Sequence, residues 1–299
     1  MTSTAARSIA KEHLHGATET AAYATLALTA FAANSVLCRV ALRDGSIDPA
    51  SFSSIRIVSG AVMLLMVMFW TGGGDRDTPR SWTSAGMLFL YAVPFSFAYT
   101  QLTTGTGALI LFGAVQITML AAAAWSGERL RTTQWLGVTA ALLGLVYLVL
   151  PGLAAPPLLA ATLMVIAGLS WGIYSLRGRG LANPLAQTTT NFARAVPMVL
   201  IVSLLTLPQF HVEPRGMLFA TASGAVASGL GYVSWYAALR GLTATRAAVL
   251  QLSVPVIAAA GGVVFLTEPI SVRLVVSAML VIGGTALTLA RRGPESSRR

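Results

Sequence analysis

Long apolar segments, separated by short polar links, run through almost the whole chain. A helix needs about 20 mostly apolar residues to cross a bilayer, and ten segments come close to that length. They are 21–41, 51–70, 83–102, 104–125, 134–151, 158–177, 187–207, 216–239, 244–266 and 272–290. No link between them is long enough to hold a soluble domain. The pattern predicts an all-α membrane protein with ten transmembrane helices.

Composition supports this class of protein. The chain is 55% hydrophobic and only 10% charged, whereas soluble domains carry about 25% charged residues. The net charge of +10 does not indicate a nucleic-acid partner, because the basic residues lie between apolar segments. The first 20 residues are polar and lack the apolar core of a cleavable signal peptide. The only cysteine is Cys38, so an intramolecular disulfide is impossible.

The basic residues also predict an orientation. If the N-terminus is cytoplasmic, fourteen of the 20 basic residues fall in cytoplasmic segments and three in the opposite loops. The three are Arg43, Arg215 and Arg273. Cytoplasmic loops are enriched in Lys and Arg, so we predict an even number of spans with both termini in the cytoplasm.

A weak internal repeat divides the chain into two halves. A shift of 140 residues aligns Glu128 with Glu268 and Gly144 with Gly284, and acidic residues are scarce here. Five spans per half is an odd number, so the second half must enter the membrane inverted, as in many transporters. Duplication kept only for folding is the alternative. The predicted units are a cytoplasmic tail (1–20), two five-helix repeats (21–152 and 153–290) and a second tail (291–299).

The ends of the two halves carry a family resemblance. The first half closes with AAAWSGERLRTTQWLGVTAALLGLVYL and the second with VVFLTEPISVRLVVSAMLVIGGTAL. This arrangement resembles the EamA-type, ten-helix branch of the drug/metabolite transporter superfamily, and within it the chain is similar to exporters of aromatic amino acids. The resemblance implies export of a small molecule, often an amino acid, across a bacterial inner membrane. It leaves the oligomeric state open, and a monomer is plausible.

The sequence offers little material for catalysis. No span has an Asp, Glu or His at its centre, and the only lysine, Lys11, excludes the usual nucleotide phosphate-binding loop. We therefore predict neither an enzyme nor a cofactor or metal site. Proton-coupled carriers commonly use a buried carboxylate, so movement down the substrate gradient is the simpler expectation. For Glu128 and Glu268 the sequence favours a salt bridge or helix cap over a titrating role.

Three arginines fall inside the predicted spans. Snorkelling to the membrane interface accounts for Arg39, near the end of its span. Arg56 and Arg194 occupy matching places in the two halves after one small gap. Their recurrence fits either anchoring at helix ends or binding of a substrate carboxylate, and the sequence favours anchoring.

Aromatic and neutral polar residues within the spans are the candidate substrate contacts. Tyr232, Trp235 and Tyr236 share one helical face, and an Asn in a span is costly facing lipid. We predict a central cavity for a neutral or zwitterionic, partly apolar solute, lined by Phe31, Asn34, Tyr91, Tyr99, Gln116, Trp171, Tyr174, Tyr232, Trp235, Tyr236 and Gln251. For any single aromatic residue, lipid contact or helix packing is an alternative. Broad drug or metabolite efflux and a non-transporting receptor are the rival functions.

Overall fold

The computed structural model describes residues 2–72, 81–125, 132–150, 155–178, 183–242, 250–251 and 253–289, and these residues are mainly helical. The helices are α1 (Thr2–Arg43), α2 (Pro49–Thr71), α3 (Trp82–Tyr99), α4 (Thr104–Trp125), α5 (Thr132–Val149), α6 (Leu158–Arg177), α7 (Pro184–Leu205), α8 (Pro214–Leu239), α9 (Ser253–Leu266) and α10 (Val272–Leu289). A single 3-10 turn, Leu207–Gln209, precedes α8.

Local sequence explains several helix boundaries. The Asp48 carboxylate accepts from the backbone N–H groups of Ala50 and Ser51, and Pro49 supplies the first helical residue of α2. The Asn183 side chain caps α7 in the same way, again followed by a proline. Gly72 ends α2 with a φ of 63°, a left-handed conformation that glycine adopts at little cost.

The helices agree with most of the predicted spans and differ at some ends. α1 begins at Thr2 instead of residue 21 and has 42 residues, so at 1.5 Å per residue it is about 63 Å long. α3 ends at Tyr99, before the predicted residue 102. The start of the predicted span 244–266 lies outside the described residues.

Membrane crossing is supported for part of the set. Within the described residues, five helices are long and apolar enough to cross a bilayer, namely Thr18–Arg43, Pro49–Thr71, Leu158–Arg177, Leu185–Leu205 and Pro214–Leu239. Four shorter apolar helices lie in α4, α5, α9 and α10. Large apolar side chains cover the outside of the bundle, including Phe69, Trp125 and Phe265. The protein is therefore a multi-pass membrane protein, and the number ten stays a prediction.

Helix packing follows the two-half organisation. α2 packs on α7, α4 on α9 and α5 on α10, each pair joining equivalent helices of the two halves. The pairing of α3 with α6 has its counterpart in α8 with α1, and α4 with α6 in α9 with α1. Exchanging each helix of the first half with its equivalent in the second half, α1 with α6 and so on to α5 with α10, therefore gives the same set of main contacts. The two halves are interleaved, with α1, α3, α6 and α8 around the centre.

Helix α8 changes geometry along its length. Its middle segment, Ser223–Leu230, is a π-helix between two α-helical segments. Long π segments are rare and are often found at functional sites. This segment packs on α2, where Gly224 lies directly against the Arg56 carbonyl and the Ser59 side chain. Gly224 therefore belongs to a tight packing seam between α2 and α8.

Candidate functional site

Six aromatic side chains from the four central helices form one connected cluster, which we call the aromatic layer. Its members are Phe31, Tyr91, Trp171, Tyr174, Tyr232 and Trp235. Trp171 is the hub, with ring centroids 4.9 Å from Tyr91 and 4.8 Å from Tyr232. Phe31 lies edge-on, 5.8 Å from Trp171. All six rings are buried, and all six were predicted as candidate contacts.

Further rings extend the aromatic layer. Phe95 lies 5.4 Å from Tyr91 and 4.7 Å from Tyr99, so Tyr99 joins the layer through it. Phe192 of α7 lies 5.7 Å from Tyr232. Neither phenylalanine is among the predicted candidate contacts. The four-residue spacing of Tyr91, Phe95 and Tyr99 was the signal for Phe95.

Hydrogen-bonding side chains lie next to the aromatic layer and form a second group, which we call the polar layer: Asn34, Arg56, Tyr91, Ser223 and Ser228. The Tyr91 hydroxyl accepts from Asn34 Nδ2 at 3.2 Å and from Arg56 Nη2 at 3.0 Å. Arg56 Nε donates to Ser228 Oγ at 3.1 Å. Ser223 Oγ donates to Asn34 Oδ1 at 2.5 Å. The network joins α1, α2, α3 and α8.

The π segment explains how α8 supplies both serines. Ser223 and Ser228 are five residues apart, and in an α-helix that spacing turns two side chains about 140° away from each other. A π-helix bonds each residue to the fifth one along, so residues five apart come close to alignment. Both hydroxyls then meet the polar layer.

Arg56 is the unusual member of the polar layer because its charge is deeply buried. Its side chain is 1% exposed. The guanidinium carbon lies 5.0 Å from the Tyr91 ring centroid and 4.9 Å from that of Phe95. Anchoring at the membrane interface was therefore the wrong interpretation for Arg56. Arg56 lies about two turns after Pro49, the first residue of α2.

A cavity of about 870 Å³ opens at one end of the bundle. Its lining comes from the middle third of α1, the end of α8 and the residues after it, including Glu19, Leu28, Ala237, Arg240 and Leu250. Small-molecule sites typically have 300–1,000 Å³. None of the predicted contact residues is among those that line this cavity. Leu28 is one turn before Phe31, and Ala237 is two residues after Trp235, so the aromatic layer begins about one turn beyond the cavity lining.

The opposite end of the bundle is closed by a cluster around Glu268. Arg39 Nε lies 3.3 Å from Glu268 Oε1, and its Nη1 donates to the Tyr99 carbonyl at 2.8 Å. Glu268 Oε2 accepts from the Thr104 backbone N–H at 2.8 Å, which caps the start of α4. The side chains of Arg39 and Glu268 are 13% and 8% exposed. Glu268 thus forms a salt bridge and caps α4, which is the role that the sequence favours. Arg39 binds groups inside the bundle, so snorkelling to the membrane interface was the wrong interpretation for it.

A second contact ties the loops at the closed end. The backbone around Ile47 pairs with that around Val212. Asp48 N–H donates to the His211 carbonyl at 2.9 Å, and Glu213 N–H donates to the Ser46 carbonyl at 2.8 Å. The loop between α1 and α2 is therefore fastened to the loop between α7 and α8, one from each half.

The remaining predicted residues lie outside the aromatic layer. Tyr236 packs its hydroxyl against Gly178 at the end of α6. Gln116 is buried within α4, and Gln251 is buried beside the cavity residue Leu250 with its side-chain oxygen unpartnered. Glu128, the repeat counterpart of Glu268, lies outside the described residues. Among the residues that the structure describes, no group of three or more His, Cys, Asp or Glu could hold a metal ion.

Comparison with known proteins agrees with the two-half fold. The model of the EamA-like transporter family matches this chain twice, over residues 19–150 and 158–290. The chain is 48% identical to an uncharacterized protein of Pseudomonas aeruginosa, over 91% of this chain and 95% of that protein. It is 22% identical to an uncharacterized transporter of Archaeoglobus fulgidus, over 89% of this chain and 96% of that protein.

A solved crystal structure supports the fold. It covers 90% of this chain and 97% of its own, with a TM-score of 0.64 and 19% sequence identity. At that identity the likeness concerns the fold alone. The family match and the Archaeoglobus fulgidus transporter point to a transporter and not to an enzyme.

Proposed function

Because the chain belongs to the EamA-like transporter family, we propose that it exports amino acids, aromatic or other large apolar ones, across the inner membrane. The observation that carries this proposal is the aromatic layer, which begins about one turn beyond the cavity lining. Rings from α1, α3, α6 and α8 converge there beside the uncharged hydrogen-bonding groups of Asn34, Tyr91 and Ser223. An apolar wall with a few placed polar groups suits a partly apolar solute.

Transport proceeds by alternating access in this proposal. The basic residues assign the open end to the cytoplasm, so the cavity at Leu28 and Ala237 receives the solute from inside the cell. The closed end at Arg39 and Glu268 then faces the periplasm. The inverted arrangement of the two halves provides the rocking motion, and the reciprocal helix pairs provide its contact surfaces.

The energy source in this proposal is the substrate gradient. Glu268 is the buried carboxylate of the described residues, and both of its oxygens are engaged, one by Arg39 and one by the α4 terminus. The charge nearest the aromatic layer is the cation Arg56. A buried positive charge disfavours cationic drugs as the main cargo.

Purified protein in liposomes tests the proposal. The liposomes are loaded with labelled phenylalanine, tryptophan, leucine, alanine or lysine, and the flux is followed with and without an imposed proton gradient. We expect phenylalanine, tryptophan and leucine to move faster than alanine and lysine, with no dependence on the proton gradient. Equal flux of all five, or flux of lysine alone, would contradict the substrate class. A several-fold stimulation by the proton gradient would contradict the energy source.

A further inference from the structure

We infer that Arg56 binds the carboxylate of the transported solute, so that the site selects molecules joining an aromatic or large apolar group to a carboxylate. The inference rests on the proposed function and assigns its charged contact. Arg56 is 1% exposed, and its Nη1 atom is buried with no hydrogen-bond partner.

The charge of Arg56 has no counterion among the described residues. The titratable groups around it are Tyr91, Tyr232 and Cys38, all of which are ordinarily neutral at pH 7. The ion pairs that the structure describes join Arg39 to Glu268, His211 to Glu213 and Arg215 to Asp44. A buried charge without a partner is strongly unfavourable, and an apolar side chain of similar volume would avoid that cost. A ligand that brings the missing negative charge accounts for the arginine.

The donors left over around Arg56 match a carboxylate. A guanidinium has five N–H groups in a planar fork, of which Ser228 and Tyr91 engage Nε and Nη2. Tyr91 accepts two hydrogen bonds, so its own proton remains free to be donated. The Tyr232 hydroxyl is buried beside Tyr91 and makes no hydrogen bond of normal geometry. Arg56 Nη1 and these two hydroxyls can together donate hydrogen bonds to the two oxygens of a carboxylate.

The surroundings of Arg56 also fix where the apolar part of the solute goes. Asn34 and Ser228 lie six and nine residues from the cavity residues Leu28 and Ala237, so the polar layer is about 9–13 Å deeper than the cavity lining. The aromatic layer lies between them. A carboxylate on Arg56 therefore leaves the rest of the molecule among Phe31, Trp171 and Tyr232. Entry requires these rings to part, a movement that alternating access already needs.

Arg194, the repeat counterpart, supplies a matched control. Its guanidinium lies 4.9 Å from the ring of Trp82, and Trp82 is 58% exposed. Arg194 also has a buried Nη1 atom without a hydrogen-bond partner. Its side chain is only partly buried and lies beside an exposed ring, however, whereas Arg56 is fully buried in the central network. The two equivalent positions have diverged, which fits a single binding site formed mainly by one of them.

Three probes that share a phenyl ring test the inference by equilibrium binding to the purified full-length protein. 3-Phenylpropionate carries a carboxylate, 2-phenylethylamine carries an ammonium group, and phenylalanine carries both. Charge-assisted hydrogen bonds account for about a 10- to 100-fold difference in affinity. We expect phenylpropionate and phenylalanine to bind at least about tenfold more tightly than phenylethylamine. Equal or tighter binding of phenylethylamine, or no binding of any probe, would overturn the inference.

Variants then assign the effect to Arg56. Arg56→Met should weaken phenylpropionate binding about 10- to 100-fold, Arg56→Lys should weaken it less, and Arg194→Met should leave it unchanged. Unaltered binding by Arg56→Met, or equal losses in Arg56→Met and Arg194→Met, would overturn the inference. If Arg56→Met does not fold, the probe order in the wild type and the Arg56→Lys result decide.

The two proposals can fail separately. If the protein binds phenylpropionate through Arg56 but moves no amino acid in liposomes, the anion site stands and amino-acid export fails. If it exports phenylalanine with unchanged affinity in Arg56→Met, export stands and the role of Arg56 fails.

Discussion

The Tyr91 hydroxyl lies 3.0 Å from Arg56 Nη2 and accepts a second hydrogen bond, at 3.2 Å, from Asn34. One oxygen thereby joins three helices and holds the buried guanidinium in place. The same tyrosine contributes its ring to the aromatic layer, 4.9 Å from Trp171. Tyr91 is thus the residue where the aromatic and polar layers meet, and it couples the position of the charge to the packing of the rings.

Removing this oxygen should destabilise the protein through Arg56. Tyr91→Phe leaves Arg56 Nη2 and Asn34 Nδ2 without their acceptor, and each unsatisfied buried group costs about 1–3 kcal/mol. In an Arg56→Met background one of those groups is already absent, so the same change should cost less. Thermal or denaturant unfolding of the four proteins in detergent measures the coupling, which we expect to be about 0.5–3 kcal/mol. Additive effects would show that the bond contributes nothing.

The aromatic layer should discriminate among substrates. Each ring contact contributes about 0.5–1.5 kcal/mol beyond its buried area, so Trp171→Ala and Tyr232→Ala should weaken affinity for phenylalanine about three- to tenfold. Affinity for small amino acids should change less. Trp70→Ala is the control, because Trp70 is 82% exposed on the outside of the bundle. If the Trp171 and Tyr232 variants transport like wild type, these rings serve packing alone.

Much of the architecture could be predicted from the sequence, because long apolar runs indicate membrane-spanning helices. The family resemblance came from the closing segments of the two halves, and the EamA-like family model confirms it by matching each half. Helix ends were less predictable, since the polar residues 2–20 gave no sign of membrane burial and yet continue α1. Six of the candidate aromatic residues came together, because helical phase places bulky residues on an inward face.

The polar layer could not be predicted in the same way. Arg56 and Arg194 have equivalent places in the repeat, but only contacts with α3 and α8 make the first central and leave the second beside Trp82. The π segment of α8 was equally hidden, because nothing in SGAVASGL distinguishes an i to i+5 bonding pattern from an ordinary helix. Long-range packing and not local propensity determines both features.

The seam between α2 and α8 should tolerate no added atom at Gly224. A Cβ there would collide with the Arg56 carbonyl and the Ser59 side chain, so Gly224→Ala should separate the helices and lower the unfolding temperature. Gly283 in α10 is a matched control, since a Cβ at that position meets nothing within 4 Å. Gly283→Ala should stabilise α10 by up to about 1 kcal/mol through helix propensity. Equal melting temperatures for the two variants would argue against a tight seam.

Both chain termini should lie in the cytoplasm. The prediction rests on the fourteen basic residues assigned to that side against three on the other. Reporter fusions placed after Arg179 and after Arg299 should both give a cytoplasmic signal. A periplasmic signal from either fusion would contradict the ten-span arrangement and, with it, the assignment of the cavity to the cytoplasmic side.

Breaking the Arg39–Glu268 pair should open the closed end of the bundle, and Cys38 can detect it. This thiol is the only cysteine of the chain, is fully buried and directly precedes Arg39. Glu268→Gln keeps an acceptor for the Thr104 N–H but loses the charge that holds Arg39. A charge-assisted hydrogen bond contributes about 1.5–3 kcal/mol, so labelling of Cys38 by a membrane-impermeant maleimide added outside the cell should become at least about fivefold faster.

Asp44→Asn is the control, because it removes an exposed pair with Arg215, which contributes little. Unchanged labelling in Glu268→Gln, or an equal increase in both variants, would show that the pair does not close the transporter.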